Sequence, residues 1–383
     1  MQPSAAVTIT NASTHSDRLE RWLGADHVAG ITRSMRGWYG PPIAVHGVPG
    51  AVYATRDGDF IGEIRGGQEM CAVDRAMDSV RRHRAALRLR RAHAMRQAGA
   101  FANLSAVIAA ATGGKAQNIT FSKTGVAANA IGNAMDLFYR AGQPSAGAAG
   151  AAAPGGTSPT SATTGALRWV NPANANTGHF VTGYISASVA ANTLLMYDRL
   201  FSVAKTMNSV ATEAVTGTFA RYQNIDGLAA DYIGGNFCFP VNPTTVLPAT
   251  AHNWTVGRYT DQANNAADSF PSIAGISACV VGGIDLAAGS WFMPLAAGDV
   301  GVKALTQMQC SAAVATGTID FVAGHPIAYF PCPIANMVCI VDGINTAFNL
   351  QNIYDNACLS FLEMPKPATT ATNYNGMVTA VAE

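Results

Sequence analysis

From Leu167 onward, hydrophobic and polar positions follow a two-residue period in short runs separated by Gly, Pro, Asn, Asp and Thr. Residues 179–188 set Phe180, Thr182, Tyr184 and Ser186 against Val181, Gly183, Ile185 and Ala187, the alternation of a half-buried strand. Residues 194–203 are apolar nearly throughout, interrupted by Asp198, Arg199 and Ser202. A strand covered on both faces reads this way. Ala190-Ala191-Asn192 supplies a turn between the two. Further strands are predicted at 118–123, 167–170, 236–241, 252–259, 274–284, 290–294, 299–311, 316–323, 326–331, 336–341 and 357–363. Connections such as 206–235 are long, which fits Greek-key return paths better than a meander. The expected architecture of this part is a mainly antiparallel, jelly-roll-like β-sandwich.

Before residue 167 the pattern differs. Residues 1–16 read as an extended arm, and 17–24 as a short helix capped by Ser16 or Asp17. Prolines and glycines exclude a helix at 38–50. Residues 51–64 read as a hairpin, with AVYAT and FIGEI flanking the tight-turn dipeptide Asp57-Gly58. Residues 68–97 predict one long helix, with Glu69, Asp74 and Asp78 early and eight arginines from Arg75 to Arg96 after them, as the helix dipole favours. Residues 101–112 resume the helix and Gly113-Gly114 ends it. Short helices are also predicted at 129–140, with Ile131, Met135 and Phe138 inward, and at 343–356. Residues 141–166 are Ala, Gly, Pro, Ser and Thr with no charge, the composition of a flexible linker or excursion. The expected fold class is therefore α+β. A basic N-terminal region with a hairpin and a long Arg-rich helix (1–115) leads to a strand, short helix and Ala/Gly/Pro-rich excursion (116–166). A β-sandwich follows (167–383).

Charge sharpens this division. Charged residues are 12% of the chain, about half the usual share. A surface so poor in charge fits a chain covered by other chains better than a solitary soluble one. Residues 1–115 carry 15 basic and 9 acidic residues, and residues 116–383 carry 9 and 14. The basic front suits an acidic neighbour or nucleic acid. The seven cysteines have no metal-ligand spacing and sit mostly in apolar strand-like runs, so they read as buried thiols formed in a reducing compartment. The N-terminus lacks the regions of a signal peptide, and no apolar window is long enough for a membrane span.

The sequence names no reaction. It contains no nucleophile elbow, phosphate loop, HExxH or EF-hand spacing. No catalytic, cofactor-binding or metal-ligating residues are assigned, and no cofactor is expected. The eight histidines are scattered and read as structural. Asp198-Arg199 is the one buried-looking charged pair, but neighbours in a strand face opposite ways, so each must reach a different partner. On the long helix, Arg81, Arg82, Arg88 and Arg91 are candidates for a charged contact. Three readings stay open for that basic band: a solvated face, a dock for an acidic neighbour, or contact with nucleic-acid phosphate. Trp169, Trp254, Trp291 and Tyr259 would be the platforms of a receptor- or carbohydrate-binding sandwich, provided they are exposed.

At LLMYDRLFSVAKTMNSVATEAVTG, HNWTVGRYTDQ and LAAGDVGVKALTQMQCSAAVATGTIDFVAGHPIAYFPCPIANM the chain resembles a family of virion structural proteins of tailed bacteriophages, over roughly residues 120–383. The resemblance implies a particle component assembled in the host cytoplasm, present in many copies and bound to itself and to other virion proteins. The N-terminal 115 residues lie outside the resemblance, and direct or indirect contact with packaged DNA through the Arg-rich helix stays open beside it; no membrane partner is expected. A capsid decoration or cement protein is the expected role. The arm, hairpin and long helix also resemble parts of the HK97-like shell protein, which keeps that role open, as are neck, tail and receptor-binding positions. The family supplies no catalytic residues.

Overall fold

A computed structural model of the protein describes residues 53–54, 60–62, 104–170, 178–223, 235–344, 351–364 and 366–382. The chain forms two units, Met1–Arg91 and Ala92–Glu383. In the first, β1 (Tyr53–Ala54) pairs antiparallel with β2 (Phe60–Gly62), the hairpin expected around Asp57-Gly58. The arm, the helix at 17–24 and the long helix at 68–97 lie outside the described residues.

The second unit begins with α1 (Leu104–Ala110), which runs into a turn at Ala111–Lys115 where Gly114 takes φ 84° and ends the helix. Strands β3 (Ala116–Thr124), β4 (Met135–Asp136) and β5 (Gly142–Gln143) follow. Next come β6 (Gly178–Ala187), β7 (Asn192–Thr206), β8 (Glu213–Ala214), β9 (Phe237–Val241) and β10 (Asn253–Thr260). The chain continues through β11 (Asp268–Ser269), β12 (Ile273–Ala274), β13 (Ala304–Cys310) and β14 (Thr318–Cys332). It closes with β15 (Val338–Asp342), β16 (Asn352–Ile353), β17 (Leu359–Glu363) and β18 (Asn373–Ala382).

These strands form three antiparallel sheets. The first has the order β15-β6-β18-β3-β5, with β16 also on β6. The second is β4-β17-β7-β14-β9, and the third is β11-β10-β13-β8, with β12 also on β10. The second sheet serves two cores. Leu194, Met196, Phe330 and Phe361 pack with Phe121, Phe180, Ile185 and Tyr374 of the first sheet. Leu195, Tyr197, Phe201 and Phe321 pack with Trp254, Tyr259, Leu305 and Met308 of the third. Strand β7 is thus covered on both faces, which is why its sequence is nearly continuously apolar. Each fully buried large apolar side chain contributes on the order of 1.5–3 kcal/mol.

The turn after β6 has Ala191 at φ 58° and carries the chain from the first sheet to the second, so β6 and β7 are not a hairpin. The two strands expected at 316–323 and 326–331 are one, β14, paired along β7 with register shifts between Ala323 and Gly324 and between Pro326 and Ala328. An irregular ladder is where a proline without an N–H is tolerated. The helix expected at 129–140 is not formed. Met135–Asp136 pairs with β17, a single 3-10 turn spans Leu137–Tyr139, and Ile131 is exposed. Asp136 caps that turn by accepting from the Phe138 N–H, which favours a turn over a helix interior. Residues 275–282 and 290–294 are turns and bends rather than strands, and Leu167 forms only an isolated bridge with Leu359. Of the helix expected at 343–356, residues 345–350 lie outside the described set, and Asn352–Ile353 is a strand.

The stretch 141–166, expected as a flexible linker or an excursion, runs in part against the second sheet. Ala152 bridges Ala204, Thr157 bridges Ser202, and the Gly147 N–H donates to the Phe138 carbonyl. The composition follows from this closeness: a Cβ on Gly147 would stand 2.1 Å from the Phe138 ring. Glycine there lets backbone meet ring.

Candidate functional site

More than half of the charged side chains described between residues 104 and 382 are buried, including Asp136, Asp198, Arg199, Asp285, Asp320 and Glu363. Charged groups are buried only where partners replace water. Arg199, on β7, donates from Nη1 to Asp136 Oδ2 at 2.7 Å and from Nη2 to the Tyr139 hydroxyl, and lies 3.6 Å from Asp320 Oδ2. Its guanidinium stands over the Phe138 ring, 4.4 Å from the centroid. Tyr139 donates to Asp320 Oδ2 at 2.5 Å, Tyr197 donates to Asp136 Oδ1 at 3.0 Å, and the Gly150 N–H donates to Asp320 Oδ2 at 2.7 Å. One arginine therefore joins β4, β7 and β14, and Asp320 holds the glycine-rich stretch. Burial pushes the Asp136 and Asp320 carboxyls above their ordinary values, and Arg199 pulls them back.

Asp198 points the other way, as the strand period requires. It accepts from Arg221 at 2.8 and 2.9 Å and from the Cys358 N–H at 2.8 Å. The expectation that Asp198 and Arg199 reach different partners is met. The partners themselves were not legible, because Asp136 and Asp320 are distant in sequence and carry no motif.

Two histidines show opposite protonation. His252 sets Nε2 2.8 Å from Asp285 Oδ2 and Nδ1 3.0 Å from the Thr250 carbonyl oxygen. Both ring nitrogens face acceptors, an arrangement that favours the imidazolium. Burial alone would lower its pKa, but Asp285 more than offsets that and raises it. Asp285 also accepts from the Trp254 indole and the Ile276 N–H. For His325 burial is the cause that decides the direction. Burial pushes its pKa down to about 3, and the neutral ring stacks on Tyr222 with Nδ1 2.7 Å from Asn236 Oδ1.

Among the described residues, Asp261, Asp268 and Asp299 bring carboxylate oxygens within 4.8 Å of one another, a group that could hold a cation. Tyr259 donates to Asp299 at 2.5 Å, and Asn265 donates twice to Asp261. Trp169, Trp254 and Tyr259 are core residues, so they are not binding platforms; Trp291 is partly buried against the larger core. Among the described residues six cysteines are free: Cys238, Cys279, Cys310, Cys332 and Cys358 are buried, and Cys339 is half-buried. Arg81, Arg82, Arg88 and Arg91 lie outside the described residues. Among the described residues, no helix is long and apolar enough to cross a membrane.

The outer face of the first sheet is the reverse of this interior. Strand register sets its side chains in three rows. Val338, Ser186, Asn375 and Ser122 form one, and Ile340, Tyr184, Met377 and Thr120 the next. Asp342, Thr182, Thr379 and Asn118 form the third. Twelve positions hold one charge, Asp342, at the margin, where it accepts from the Ile344 N–H. Val107 of α1 packs on Val381 with Val181 beside it, at another part of the same sheet. The sequence showed the β6 row as an alternation. It gave no sign of the face, because the register of four strands distant in the chain creates it.

No family model matches the chain, and no curated protein matches it. Among solved structures, the chain is similar at 7% identity to the crystal structure of infectious bursal disease virus VP2 subviral particle. The match covers 70% of this chain and 80% of that one with a TM-score of 0.14, a level that carries no argument.

Proposed function

We propose that this chain is a structural subunit of a tailed-phage particle, placed on the capsid as a decoration or cement protein. The observation that carries the reading is the distribution of charge. Buried carboxylates, guanidinium groups and an imidazolium tie the sheets together, while a broad sheet face is left nearly without charge. A subunit covered by neighbours needs little surface charge. The jelly-roll-like reading belongs to the same proposal, supported by antiparallel layers and the long return paths between them. The resemblance at residues 194–217, 252–262 and 295–337 points to the same class of protein.

The test is stoichiometry in purified particles, by quantitative mass spectrometry against the portal protein. Hundreds of copies are expected, in a ratio to the main shell protein that separates decoration from shell. A dozen copies would move the chain to neck or tail, and absence from particles would overturn the reading.

A further inference from the structure

Strand β15 ends the first sheet, so one side of its backbone has no strand beside it among the described residues. Soluble proteins usually protect such an edge with lysine, proline or a bulge. Here residues 333–341 contain no charge at all. Val338 and Ile340 are 55% and 62% exposed, and Tyr184, directly opposite Ile340, is 40% exposed. Ile334 and Met337, in the turn leading into β15, are 53% and 57% exposed. These five residues together expose roughly 500 Å², most of it apolar, in the range of the largest apolar patch on a typical monomer, which is often functional. Ser186, Asn375, Ser122, Thr182 and Thr379 continue the face with groups that can donate or accept hydrogen bonds.

Resting on the reading of the chain as an assembling subunit, we propose that the β15 end of this outer face is the surface by which one copy of the chain binds a second copy. Two arguments select that occupant. A contact across a twofold axis places a patch against its own copy, so a patch of a single sign repels itself. This face, neutral except for Asp342 at its margin, escapes that repulsion, and an acidic or basic partner would find nothing here to pair with. The size also fits: a standard interface takes about 800 Å² per partner, and the apolar end supplies most of it with the hydroxyl and amide rows completing the rim.

The test uses the full chain in sedimentation velocity across a concentration series, for the wild type, Ile340→Lys, Tyr184→Lys and the conservative Ile340→Val. Concentration-dependent association is expected for the wild type and Ile340→Val, weakened at least about tenfold by either lysine. Far-ultraviolet circular dichroism of each variant should match the wild type, since the altered side chains are exposed. Hydrogen exchange gives a second readout, with the amides of residues 338–342 losing protection on dilution. Lysine variants that associate like the wild type overturn the proposal. So does a wild type that stays monomeric at every concentration. If particles hold hundreds of copies and incorporate Ile340→Lys normally, the surface is wrong and the particle reading stands. If the chain is absent from particles yet pairs through this surface, only the particle reading fails.

Discussion

The neighbourhood of Arg199 and the outer face of the first sheet are built on opposite terms. Around Arg199, two carboxylates, two tyrosines and a guanidinium share a space closed to water. On the outer face, rows of Ser, Thr, Asn, Tyr, Met, Val and Ile stand with a single carboxylate at the margin. Most proteins place charge outside and apolar groups inside. Here buried charge joins strands distant in the chain, and one broad sheet face is left nearly uncharged. The difference teaches that low overall charge is not merely dilution; it reflects where the charges are placed.

The comparison breaks most severely at Arg199. Arg199→Met strands Asp136 and Asp320 without their cation and should lower the unfolding free energy by about 3–5 kcal/mol in urea denaturation. A loss under about 1 kcal/mol would mean the network is incidental to the fold. Next in size is Gly147→Ala, whose new methyl would meet the Phe138 ring beneath Arg199; a loss of about 1–3 kcal/mol is expected in the same assay. An unchanged midpoint would show that the glycine-rich stretch does not lean on the network.

A smaller effect comes with pH. The folded pKa of His252 lies above its unfolded value, so its imidazolium contributes stability that is complete below about pH 6.5 and lost as pH rises through the folded value. The wild type should therefore lose more stability across that rise than His252→Gln, measured by urea midpoints at each pH. Equal slopes would contradict the imidazolium. The smallest effect is on the outer face. Thr120→Lys should change the unfolding free energy by no more than about 0.5 kcal/mol, because an exposed position there supports no internal contact of consequence.

Much of the layered fold was legible because strand periodicity records burial. The alternation at 179–188 and the apolar run at 194–203 became β6 and β7 within three residues, and 236–241, 252–259, 336–341 and 357–363 also became strands. What failed was governed by distant contacts. The tail strand β18 lies between β3 and β6, yet its pattern is broken by Gly376, where a Cβ would come within 2.5 Å of the Tyr184 carbonyl oxygen. Residues 129–140 carry helical spacing, but their apolar groups are drawn separately into two cores, Leu137 to one and Phe138 to the other. For 141–166 composition left a flexible linker and an excursion open, because glycine that permits flexibility also permits close packing. Of the candidate site, the divergence of Asp198 and Arg199 could be read from adjacency alone, whereas the uncharged face exists only once the strand register is known.

The most direct test of the central claim is the dependence of self-association on salt. Association of the full chain, measured by sedimentation equilibrium at low and at high sodium chloride, should change by less than about twofold if the uncharged face carries it. A weakening of about tenfold or more at high salt would contradict the account, and would assign assembly to charged surfaces such as the one expected around Arg81, Arg82, Arg88 and Arg91.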